Sequence, residues 1–173
     1  MKIIDLSQTI HSDMPVYPGD PEVKVSLVHT YKTHSWTLRK LELSTHTGTH
    51  VDAFSHMHES LASLDEIPLE RFFGEARVVS DKIPLKQRIG LFFVEEISLE
   101  MLDTLLQAKP NFVGGHLTEA LERALLTSGI ITYTNLINLE HLPFNCSFTF
   151  YGLPLKIQEG DGSPVRAIAI LKD

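Results

Sequence analysis

The sequence has 173 residues, 43% of them apolar and 21% charged, with a net charge of −7. That length suits one globular domain, 1–173, because domains hold roughly 100–200 residues, and no apolar run reaches the ~18 residues that would cross a bilayer. The acidic balance, with lysines and arginines scattered, argues against a nucleic-acid partner, and a single cysteine, Cys146, excludes an intrachain disulfide or a thiolate metal cluster.

The first ten residues carry Asp5 and no charged-then-apolar signal region, so a cytoplasmic location is expected. Short apolar or alternating runs at 3–6, 23–28 and 36–43 read as strands, with the turn residues Tyr17-Pro18-Gly19-Asp20 between the first two. Further strands are expected at 76–79 and 91–94. Ser98 is placed to cap a helix over 99–107, with Glu100 in its first turn. Thr118 is placed to cap a second helix over 119–127, striped by Leu117, Leu121, Ala124 and Leu125 and stopped by Gly129. Strands at 130–133, 148–151 and 165–171 follow, the last after the turn Glu159-Gly160-Asp161-Gly162-Ser163-Pro164. Many strands and about two main helices give an α/β domain with a mixed sheet.

Four of the nine histidines, His46, His50, His56 and His58, fall within thirteen residues. The Thr, Ser and Gly among them disfavour a helix. In an extended chain, alternate side chains share a face, which puts His46, His50 and Asp52 together. Four extended residues nevertheless span about 13 Å, whereas ligands sit about 2 Å from a shared ion. One ion therefore requires a bend, and Gly48, midway between the two histidines, tolerates one. Without a bend the histidines could serve two neighbouring ions bridged by Asp52. Imidazole and carboxylate together suit Zn2+, with Mn2+ or Fe2+ as alternatives.

The run His46-Thr47-Gly48-Thr49-His50-Val51-Asp52-Ala53-Phe54-Ser55-His56 resembles the motif of the metal-dependent cyclase family, whose best-known members are kynurenine formamidases of tryptophan catabolism. Phe54 stands where that motif has proline. Asp5-Leu6-Ser7 with Met14-Pro15-Val16-Tyr17-Pro18-Gly19-Asp20 is similar to the family's amino-terminal signature. Gly152-Leu153-Pro154-Leu155-Lys156-Ile157 and Asp161-Gly162-Ser163-Pro164-Val165-Arg166-Ala167 are similar to its carboxy-terminal one. The resemblance implies a swivelling β/β/α-type fold, a homodimer or homotetramer, and one or two divalent ions. It also implies hydrolysis of a small amide such as N-formylkynurenine, or of a lactone, by metal-activated water. By position, His46, His50 and Asp52 would hold metal and His56 would move the proton.

The second half departs from the family pattern. Thr134 and Glu122 stand where the family places a Glu and a His that help hold metal, and the region around Gly114-Gly115-His116-Leu117 is short. Glu122 and His116 are therefore the candidates for additional ligands. Arg166 is a candidate partner for a substrate carboxylate and Trp36, with Phe54, for an apolar substrate wall, although an ion pair and core packing serve those residues equally well. His58 is expected in solvent. Two readings follow: a metal-dependent hydrolase, favoured by the intact first cluster, or a catalytically silent relative that binds metal or ligand as an assembly module, favoured by Thr134 and Glu122.

Overall fold

The structure is a computed structural model that describes residues 1–171. One nine-stranded sheet runs through the molecule. In chain order its strands are β1 (Lys2–Asp5), β4 (His50–Asp52), β5 (Phe73–Val79), β6 (Gly90–Ile97), β7 (Phe112–Leu117), β8 (Ile131–Thr134), β9 (Phe148–Tyr151), β10 (Gly162–Pro164) and β11 (Ile168–Leu171). A separate two-stranded arm pairs β2 (Lys24–His29) with β3 (Leu38–Glu42), and a four-residue helix α1 (Tyr31–His34) lies between them. Spatial order in the main sheet is β1-β11-β9-β5-β6-β7-β8-β4-β10. The centre, β5 to β8, is parallel, and the strands on either side add antiparallel.

Parallel strands buried on both faces read as continuous apolar runs, and Gly90-Leu91-Phe92-Phe93 in β6 is buried throughout. Alternate side chains feed two cores. Phe92 joins Phe112, Phe148, Phe150 and Tyr133 in an aromatic layer with ring centroids 4.8–6.1 Å apart. Leu91 and Phe93 face the other way, onto helices α2 (Leu102–Ala108) and α3 (Glu119–Thr127), where Leu105, Leu121 and Leu125 are fully buried. These crossover helices fill one face of the parallel centre, as α/β connections do. Among the described residues, no helix is long and apolar enough to cross a membrane.

Several expectations are corrected. The helix expected at 99–107 opens as a 3-10 turn, Leu99–Met101, before α2 begins. Ser98 and Thr118 occupy the capping positions, but neither hydroxyl makes a capping bond, and Thr118 Oγ1 is buried without a partner. The 46–58 segment is extended only over β4; Phe54–His56 is a 3-10 turn. Strands β7 and β10 were not expected, because Gly114-Gly115 and Gly162-Ser163-Pro164 carry poor strand formers. Tertiary pairing overrides that preference: β7 is clamped between β6 and β8, and β10 lies along β4.

Candidate metal centre and active site

Strand β4 carries two of the clustered residues on one short ladder. His50 lies opposite Thr134 of β8 and Pro164 of β10, while Asp52 lies opposite Thr132 and Gly162. Just before it the chain reverses at Gly48, whose φ of +61° is the left-handed conformation that glycine adopts without strain. This is the bend the ligand spacing demanded, and it brings the His46 and His50 rings to 5.1 Å, edge to face. The turn is tied down from both ends of the chain. Thr49 Oγ1 accepts from the Gln8 N–H (2.9 Å) and donates to the Asn135 carbonyl (2.6 Å), and Asn135 Nδ2 donates to the Gly48 carbonyl (3.2 Å).

Asp52 is the buried hub, 1% exposed. Its Oδ1 lies 2.9 Å from His46 Nδ1 and 3.4 Å from His50 Nε2, and its Oδ2 accepts from Thr132 Oγ1 at 3.0 Å. Nδ1 of His50 donates to the Gly48 carbonyl at 2.7 Å, which leaves the Nε2 lone pair facing the cluster. Thr134 Oγ1 donates to that Nε2 at 2.8 Å. His46 Nε2 meets Asp161 Oδ2 at 3.0 Å, and the His56 ring lies 3.8 Å from the His46 ring, centroid to centroid. His56 Nδ1 stands 3.8 Å from Asp161 Oδ2, too far for a hydrogen bond. Ligand atoms of His46, Asp52 and His56 all lie within 4.8 Å of one another, a grouping that could hold a metal ion and the one such group of three among the described residues; His50 stands outside it and meets it through Asp52, 3.4 Å away.

The electrostatics follow from burial and charge. Burial disfavours the charged form of His46, but hydrogen bonds and charge from Asp52 and Asp161 outweigh it and hold the imidazole up at about 9. Burial would raise Asp52, yet the hydrogen bond from His46 holds the carboxylate well below the usual range. Burial, then the His46 charge, lower His56, so it is neutral at pH 7. Glu122, on α3, faces Asp52 across Thr132, whose hydroxyl is 3.1 Å from Glu122 Oε1. Burial and the Asp52 charge push Glu122 up to about 8.

This cluster forms the floor of an open cavity of about 810 Å3, with Tyr17 and Asp20 from the amino-terminal loop among the lining residues. His116 and Glu122 line the same cavity, but His116 is exposed and stands outside the cluster. Arg166 takes the ion-pair alternative: it pairs with Asp5 through two bonds of 2.9 and 2.7 Å and is not among the residues lining the cavity. Trp36 is corrected: it neither lines the cavity nor joins the core, but lies exposed on the arm and donates to His29 Nδ1 at 2.9 Å. Phe54 packs on the aromatic core. His58 is tied to α3, bonding the Arg123 carbonyl at 2.8 Å, where solvent was expected. Sequence reasoning missed Asp161 and Thr132 as members of the site. The Asp-Gly turn before β10 contained the former, but nothing in the spacing linked it to histidines 115 residues away.

An α/β scaffold presenting imidazoles and a buried carboxylate at the floor of an open cavity defines a hydrolase-like centre suited to a divalent cation. Residues 4–110 match a family model named Cyclase and described as "Putative cyclase". The kynurenine formamidase of Salinibacter ruber is 30% identical over 207 aligned positions, covering 97% of each chain. That of Paracidovorax citrulli is 27% identical, covering 95% of this chain and 94% of its own. Among solved structures, isatin hydrolase A from Labrenzia aggregata, bound to benzyl benzoate, superposes with a TM-score of 0.82 at 21% identity, covering 99% of this chain and 94% of that one. A protein described as a "predicted metal-dependent hydrolase" from Bacillus stearothermophilus has a TM-score of 0.76 at 20% identity, with 97% of each covered. The chain belongs to the cyclase family of hydrolases.

Proposed function

We propose that the protein hydrolyses a small amide of the N-formylkynurenine type, or a lactone, at a one-cation centre held by His46, His50 and Asp52. The observation that carries this reading is the preformed floor of the cavity: a buried carboxylate flanked by two imidazoles, with a third beside them. The donor set fits a divalent cation. Imidazole nitrogen and carboxylate oxygen suit Zn2+ first, then Mn2+ or Fe2+, and His50 already has its tautomer fixed by a backbone carbonyl, as metal-binding histidines do. When bound, the cation would polarise the scissile carbonyl and acidify water. One ion is favoured over two, because a Thr134 hydroxyl is a poor donor to a dication and Glu122 is turned toward Thr132 and Asp52.

The protein's own groups handle the proton. His56, neutral and facing the cavity, takes a proton from the attacking water and returns it to the leaving nitrogen as the C–N bond breaks. Formate and an amine result. Metal content of the purified protein and hydrolysis of N-formylkynurenine under added Zn2+ or Mn2+ test the reading. Asp52→Ala should lose the metal. His56→Ala should keep it and lose ~10²–10⁴-fold in turnover. Equal metal loss in both variants would make His56 a ligand, and absence of metal and of turnover would end the enzyme reading.

Assembly with a second copy is part of the proposal. Leu27, Val28, Tyr31, Trp36, Leu38 and Leu41 of the arm are all exposed, and an isolated two-stranded hairpin is marginal in water. The segment 24–42 carries Lys24, Lys32, Arg39 and Lys40 against Glu42 alone, while the chain as a whole carries −7, so the arm complements the acidic body of another copy.

A further inference from the structure

We infer that Asp161 and Gly162 act as a positioning pair that fixes the His46 ring and decides which of its nitrogens meets the cation; this rests on the reading under Proposed function.

The His46 ring occupies the space where residue 162 would otherwise carry a side chain. A Cβ built on Gly162 would stand 2.4 Å from His46 Cε1, 2.8 Å from Nδ1 and 2.9 Å from Nε2. Gly162 is held there by the ladder, directly opposite Asp52, so the ring and its carboxylate partner are mounted on the same cross-strand pair. One residue earlier, Asp161 receives Nε2 at 3.0 Å through Oδ2, while its Oδ1 accepts the Thr45 hydroxyl at 2.9 Å. The Asp161 carbonyl also takes the Ala53 N–H at 2.8 Å, which ties this corner to the chain just past Asp52.

Two consequences follow for the ring. An imidazole whose Nε2–H is engaged by a carboxylate presents Nδ1 as its donor atom, and Nδ1 is the atom beside Asp52. The empty space at Gly162 sets how deep the ring sits. A methyl group there forces the ring outward by about 1 Å to restore ordinary contact, against the ±0.2 Å that metal–ligand distances tolerate. The backbone at 162 is not in the left-handed region, so alanine fits the strand itself. The side chain that must give way is His46, and the damage falls on the centre more than on the fold.

Cobalt(II) titration of metal-stripped protein, read by its visible absorption and by affinity, tests this without recourse to turnover. Gly162→Ala and Asp161→Ala should each weaken cobalt binding by ~10–100-fold and change the absorption bands. Asp161→Asn should stay within a few-fold of the parent, because its amide oxygen still accepts from Nε2 and its amide nitrogen can donate to Thr45. Wild-type affinity and spectrum in both alanine variants would overturn the inference while leaving the centre intact. A parent protein that takes up no cobalt would sink both. Should Gly162→Ala misfold, the Ala-against-Asn comparison at Asp161 decides alone.

Discussion

In cation-free protein the cluster is a proton switch whose size can be worked from its geometry. In metal-free protein His46 lies between Asp52 and Asp161, at 2.9 and 3.0 Å, and keeps its proton to about 9; in the unfolded chain the imidazole returns to about 6.5. Between those values the folded state holds one more proton than the unfolded state. Unfolding free energy therefore falls by about 1.4 kcal/mol per pH unit. The stabilisation is fully present below pH 6.5 and lost as pH rises through 9, for a total of about 3 kcal/mol. Glu122, raised to about 8, adds a slope of the same sign at lower pH. Urea unfolding in chelator from pH 6.5 to 9.5 should show the decline, equivalent to about 6–12 °C in melting temperature at this chain size. His46→Gln should flatten the curve between pH 8 and 9.5. Metal affinity should run the opposite way, strengthening with pH as His46 gives up its proton. An unfolding free energy constant from pH 6.5 to 9 would refute the claim that His46 is charged between the two carboxylates.

Three further outcomes are expected. Arg166→Ala, which breaks an exposed pair with Asp5, should leave denaturant unfolding nearly unchanged and leave KM unchanged; a raised KM would return Arg166 to the substrate site. Phe92→Ala, at the centre of the aromatic layer, should destabilise by about 3–5 kcal/mol in denaturant unfolding, and a loss under about 1.5 kcal/mol would contradict that packing. Leu38→Asp combined with Leu41→Asp should convert an oligomer to a monomer in light scattering; an unchanged mass would place the subunit interface away from the arm.

The first cluster was legible because its chemistry is local. His46, His50 and Asp52 lie within seven residues, and arithmetic on chain length tied a single shared ion to a bend, which Gly48 makes. Helix α3 was legible from its apolar stripe and from Gly129, whose φ of +72° ends the segment as expected. What could not be read is what the sheet imports. Thr132 bonds Asp52 across 80 residues and Asp161 bonds His46 across 115, and neither hydroxyl nor carboxylate announces such a partner in sequence. Strand β10 was hidden for the same reason, since Gly162 is chosen by the ring above it rather than by strand preference. The caps failed differently: Ser98 and Thr118 stand at the right places, but their hydroxyls make no capping hydrogen bond to the turns they begin.

The short strand β4 sits between partners supplied by residues 131–134 and 162–164, whereas the family model reaches only residue 110. A nascent chain that has made every histidine of the cluster still lacks both rails on which β4 is mounted. Cation capture should therefore lag behind synthesis of the histidines and coincide with docking of β8 and β10, so that uptake of metal would report the arrival of residues 131–164.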